Sequence, residues 1–167
     1  MQATVRNITF LFSLSVSGWV VASQACAAES TWDKDIRQGK PHTIAVYHSP
    51  SCGCCSGWIT HLKKHGFEVN SIETDDVQPV KRQHGVPMPA TSCHTALIEG
   101  YVIEGHVPAN DIKQLIESGK HDILGLSVPQ MPVGTPGMEM GERKDAFDVI
   151  SFDKAGDTSI YHHYEHY

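Results

Sequence analysis

Cysteine is scarce in this chain and concentrated. Cys52, Cys54 and Cys55 fall within four consecutive residues, and Cys93 is followed directly by His94. The fifth, Cys26, lies in an N-terminal segment that reads as an export address. Thiols gathered in one loop plus one distant partner are not scattered staples. They build a site that moves electrons, holds metal, or does both. Cys52 and Cys55 frame a C-x-x-C, the spacing of a redox dithiol at a strand-to-helix junction. Backbone N–H groups and the positive end of the dipole at a helix start would stabilise thiolates there.

Cys54 separates the readings. Dithiol exchange needs two thiols, and a third between them invites wrong pairings. The side chains of adjacent Cys54 and Cys55 point in different directions, which suits a four-sulfur zinc tetrahedron poorly. Copper(I) is soft and low-coordinate, and splayed thiolates can bridge several such ions. The candidate metal ligands are therefore Cys52, Cys54, Cys55 and Cys93, with copper as Cu(I), more than one ion, as the leading cargo. Three alternatives stay open on the residues alone. These are a thiol–disulfide oxidoreductase using Cys52 and Cys55, a structural zinc site, and a plain structural disulfide such as Cys52–Cys55.

Of eleven histidines, His94 is best placed, as ligand or as support for one, because it neighbours Cys93. His106, after the predicted fourth strand, and His48, before the cysteine loop, are further candidates. His61, His65 and His121 read as solvated, and His162, His163 and His166 as an adventitious metal tail. Met131, Met138 and Met140 could offer thioethers, although a Met in a Pro/Gly loop more often packs.

The elements that must position these residues follow from pattern. Thr43 to Tyr47 reads as a buried strand, His48 to Cys54 as a loop, and a helix starts at about Cys55 with Trp58, Ile59 and Leu62 on one face. Gly66 stops it, and Phe67 to Ile72 alternates as a second strand, completing a βαβ unit. A short helix around Val77 to His84 precedes an extended Val86 to Pro89. Thr95 to Ile98 and Tyr101 to Glu104 form a hairpin at Glu99-Gly100. Pro108 opens a helix with Ile112, Leu115 and Ile116 inward and Gly119 as its stop. This order predicts an α/β fold, a thioredoxin-like four-stranded mixed sheet flanked by helices over residues 42–126. In such a fold the segment before the third strand packs on the cysteine loop, bringing Cys93-His94 to it. Residues 127–167 read as a Pro/Gly/Met loop plus an extra hairpin, Phe147 to Phe152 with Thr158 to Tyr161, packed on the same domain.

Residues 1–27 read as a signal peptide, with Arg6, an apolar run from Ile8 to Ala22, and cleavage after Ala25-Cys26-Ala27. The run is short and serine-rich for a membrane span. A lipoprotein acylated at Cys26 and a retained anchor are the rival readings. Residues 28–41 form a polar leader. The expected location is the periplasm, where thiols need a reason to stay reduced, with no membrane association after cleavage. A net charge of −6 offers no basic stripe for nucleic acid.

The stretches Tyr47-His48-Ser49-Pro50-Ser51-Cys52-Gly53-Cys54-Cys55-Ser56-Gly57-Trp58, Ser92-Cys93-His94-Thr95-Ala96, Gly100 to Pro108 and Met131 to Met138 resemble the exported CopG copper-resistance family. The resemblance covers nearly all of the chain after the signal peptide. It implies a periplasmic thioredoxin-like protein that binds copper through its cysteines and is often encoded beside other copper-handling proteins, and it suggests redox interconversion of the bound copper. By position, Cys52, Cys54, Cys55 and Cys93 would be the cluster thiolates. Cys93-His94 stands near the place where a true thioredoxin has a proline, which argues against ordinary disulfide exchange.

Overall fold

The computed structural model describes residues 30–37 and 39–167. The predicted signal peptide, Cys26 and the start of the leader lie outside the described residues.

The pattern of β1 (His42–His48) follows from alternation: Ile44, Val46 and His48 are buried, and the residues between them are not. β1 pairs in parallel with β2 (Phe67–Glu73), with α1 (Gly53–Lys64) as the crossover between them. Trp58, Ile59 and Leu62 face the core from α1, as their spacing predicts. Trp58 is fully buried, and its indole N–H donates to the Val107 carbonyl at 2.8 Å. The helix terminates before Gly66, whose φ of 81° suits a residue without a side chain. It begins earlier than expected, at Gly53 rather than Cys55, with Cys52 as N-cap. All three clustered cysteines therefore sit at its first turn.

After α2 (Gln78–Gln83), β3 (Thr95–Ile98) and β4 (Tyr101–Glu104) form the predicted hairpin. Glu99 and Gly100 both have positive φ, the geometry of a two-residue hairpin turn. α3 (Ala109–Ser118) buries Ile112 and Leu115 and ends at left-handed Gly119. It leads to β5 (Gly125–Ser127), parallel to β4. β6 (Phe147–Phe152) and β7 (Thr158–Tyr164) follow as an antiparallel pair.

One mixed sheet results, in the order β2-β1-β3-β4-β5-β6-β7. The four-stranded expectation is thus corrected to seven strands. The error lies at β5, which has three residues, all buried, and no alternation to mark it. At Gly125 a Cβ would collide with the Val102 carbonyl and the Phe152 ring, so glycine permits the strand to close on its neighbours. The expected division between residues 126 and 127 falls inside this strand, and the C-terminal hairpin continues the sheet. Ile44, Trp58, Leu62, Ile103, Leu115, Leu126 and Val149 share one core spanning both parts. Each large side chain buried this way contributes about 1.5–3 kcal/mol of transfer free energy. Among the described residues no helix is long and apolar enough to cross a membrane.

Candidate metal centre

The N-terminus of α1 presents Cys52, Cys54 and Cys55 to the segment entering β3, which carries Cys93. The four Sγ atoms all lie within 4.8 Å of one another. Cys54 Sγ is 3.4 Å from Cys52 Sγ, and Cys93 Sγ is 3.9 Å from Cys55 Sγ. Cys52 and Cys55 are joined as a disulfide, while Cys54 and Cys93 are free thiols and half-buried. The site is thus in its oxidised form, and only two of the four sulfurs are thiols.

Two imidazoles converge on Cys93. His94 Nδ1 is 3.1 Å from its Sγ, and His106 Nε2 is 3.2 Å away. His106 Nδ1 lies 2.8 Å from the Pro136 carbonyl, which can only accept, so Nδ1 carries the proton and Nε2 offers a lone pair towards Cys93. The His94 ring packs on Trp58 at 4.4 Å and on His106 at 5.1 Å, leaving its Nε2 buried without a partner. Burial lowers the pKa of both rings, His94 strongly, so both are neutral at pH 7 and in the form that binds metal. The Cys93 thiol is pushed up to about 12, first by burial and then by the neighbouring Cys54. A thiolate at this position therefore needs a cation beside it.

A buried ion pair fixes the Cys93 segment. Glu104 and Lys81 are both almost fully buried and bonded to each other. The Glu104 carboxylate also accepts from Ser92 N–H at 2.6 Å and from the Thr95 hydroxyl at 2.7 Å. Cys93 and His94 are thus held from both sides by one side chain. Burial raises the Glu104 carboxyl above its ordinary range, and Lys81 opposes that shift.

The Pro/Gly/Met loop closes the far side. Ser92 Oγ donates to the Gln130 carbonyl, Val128 N–H donates to the Glu104 carbonyl, and Pro136 holds His106. Gly137 lies against Gly57 on α1 so closely that a Cβ on Gly57 would come within 2.9 Å of the Gly137 Cα. Met138 is half-buried, whereas Met131 and Met140 are 50% and 64% exposed.

Cys52, Cys54, Cys55, Cys93, His94 and His106 therefore come together. His48 does not offer a free nitrogen, because its ring contacts the Ser49 carbonyl at 3.0 Å and the Ser71 hydroxyl at 2.7 Å. His61 and His65, expected in solvent, are buried, since Trp32 and α3 cover that part of α1. His121 and His166 are exposed, while His162 and His163 pair with Asp111 and Asp148. Sequence reasoning missed Lys81, Glu104 and the Pro136 carbonyl. A lysine and a glutamate carry no motif, although Glu104 within an apolar strand was a usable signal.

Fold and site together define a mixed α/β protein with a cysteine–histidine cluster of metal-binding type. The family model described as "Protein of unknown function, DUF411" matches residues 90–138. Two solved structures, described as copper resistance protein CopG, Form 1 and Form 2, are 46% and 44% identical with TM-scores of 0.71. Each match covers 75% of this chain and 98% or 100% of the solved chain. No curated protein matches. The chain belongs to this CopG/DUF411 family.

Proposed function

We propose that this is a periplasmic copper-binding protein of copper resistance that holds Cu(I) in a thiolate cluster. Cys52, Cys54, Cys55 and Cys93 would bridge more than one ion, and His94 and His106 would complete the coordination. The observation that carries this reading is the placement of Cys93. It comes from 38 residues away to within 3.9 Å of Cys55, with two neutral imidazoles against its sulfur. The donor set is soft and compact, as copper(I) favours. Family membership supports the copper assignment, and the β2-β1-β3-β4 part of the sheet with α1 and α3 supports a thioredoxin-like core.

Loading all four sulfurs requires two electrons to open the Cys52–Cys55 disulfide. The reverse chemistry supplies a redox step. Two Cu(II) ions each take one electron from the Cys52 and Cys55 thiolates, leaving two Cu(I) ions and the disulfide. Transfer to or from other copper-handling proteins in the same compartment fits an exported, acidic chain.

The test is anaerobic Cu(I) titration of the reduced protein, with thiol counting and metal analysis. Cys93→Ser should lower both stoichiometry and affinity, and unchanged values would refute the four-sulfur cluster. The disulfide, with the Cys93 sulfur near Cys55, favours a second reading as a thiol–disulfide oxidoreductase. The raised pKa of Cys93 opposes that residue as the attacking or resolving thiol, because exchange proceeds through the thiolate. A metal-free protein that turns over a disulfide substrate would support the second reading.

A further inference from the structure

We propose a second metal site, for a divalent first-row ion such as Cu(II) or Zn(II), formed by Asp33, His61 and His65. One donor atom from each lies within 4.8 Å of the others. His61 and His65 are four residues apart on α1, the spacing that puts two imidazoles on one helix face for a single metal ion. Their ring centroids lie 4.2 Å apart with the planes tilted at 48°, and both residues are more than nine-tenths buried. Asp33 enters from the 3-10 turn at Thr31–Asp33.

The hydrogen bonds prepare one ring for a cation. His65 Nε2 donates to the Trp32 carbonyl at 3.0 Å, so Nδ1 is the bare nitrogen, and it is buried with no partner. A backbone carbonyl that fixes the tautomer in this way is the usual support of a metal-bound histidine. His61 Nε2 accepts from the Ala109 amide at 3.1 Å, and an ion would compete for that lone pair. Burial, the largest cause in both cases, lowers the pKa of His61 and His65, so neither needs to lose a proton at neutral pH. Two cations oppose the ion. Lys64 holds Asp33 at 2.6 Å and is 53% exposed, while Lys113 is tied to the His65 carbonyl. A pocket of about 540 Å³ reaches Asp33 and His61, and a second of about 230 Å³ reaches His61 and His65.

The donors are two imidazoles and a carboxylate, a borderline set that suits Cu(II) or Zn(II), in contrast to the sulfur cluster. Cys54 and His61 stand seven positions apart on α1, about 10 Å at 1.5 Å per residue. One helix would thus carry a site for each copper oxidation state.

The experiment uses full-length mature protein with Cys52–Cys55 oxidised and Cys54 and Cys93 alkylated, titrated with Cu(II) alone. The expected result is one tightly held equivalent whose electron paramagnetic resonance spectrum shows imidazole nitrogen coupling. His65→Gln and the milder Asp33→Asn should each weaken binding at least tenfold. A variant with His162, His163 and His166 all changed to Gln should leave it intact. The proposal is overturned if wild type retains no Cu(II), if Asp33→Asn and His65→Gln bind as wild type, or if only the tail variant loses the signal. Cu(I) loading of the reduced Asp33→Asn protein should match wild type, so this site and the sulfur cluster stand or fall separately.

Discussion

Lys81→Met offers a quantitative test of how the Cys93 segment is held. Lys81 is 2% exposed and Glu104 0%, so solvent screens neither charge. Removing the ammonium leaves a buried carboxylate whose remaining partners are Ser92 N–H and the Thr95 hydroxyl. Breaking a buried pair from one side costs about 3–5 kcal/mol. For a domain of this size that lowers Tm by roughly 6–20 °C, at about 2–4 °C per kcal/mol. Adding Glu104→Gln removes the stranded charge and keeps an acceptor for Ser92 N–H. The double variant should therefore recover to within about 1 kcal/mol of wild type. Chemical denaturation of the metal-free proteins gives the cycle directly. If the proposed Cu(I) site is right, its affinity should follow the same order, because the pair positions Cys93 and His94. If the double variant is no more stable than Lys81→Met, the pair does not hold this segment through its charges and the reasoning fails.

Two further outcomes follow from the protonation of the site. In the oxidised, metal-free protein, iodoacetamide should modify Cys93 slowly at pH 8 and about tenfold faster per pH unit up to pH 10, because burial raises this thiol to about 12. A rate that levels off by pH 9 would contradict that. His61, His65, His94 and His106 all have lowered pKa values, so the unfolded chain binds more protons than the folded one below the ordinary histidine value of about 6.5. Stability should therefore be full above about pH 6.5 and fall as pH drops to 5, each ring contributing up to roughly 1.4 kcal/mol per pH unit. Glu104 and Asp111, whose pKa values burial raises, act in the opposite sense from the ordinary carboxylate range up to their raised values. Urea midpoints at pH 7, 6 and 5 measure this, and a flat profile would refute it.

The sequence shows the elements that announce themselves by periodicity or turn chemistry. The α1 face of Trp58, Ile59 and Leu62, the Glu99-Gly100 turn and the Gly119 stop are all visible, because local sterics and burial determine them. β5 is not, since three buried residues have no period and their pairing with β4 and β6 is decided by distant strands. The cysteine cluster was legible because C-x-C-C and C-H are compact and chemically unusual. The burial of His61 and His65 was not, because the helix pattern alone does not show that Trp32 and the start of α3 cover that face. Lys81 and Glu104 were hidden for the same reason: their meaning lies in a contact across 23 residues.

The main-chain oxygen of Pro136 sets the tautomer of His106. An oxygen of that kind cannot be deleted by exchanging one amino acid for another. Natural drift in the loop's side chains can alter its shape or polarity while the imidazole keeps the same orientation. Adjusting that nitrogen's donor strength instead requires moving the whole peptide unit, which the Gly57–Gly137 contact resists. The histidine is thereby sheltered from the commonest form of mutation, and relatives can diversify the loop around it.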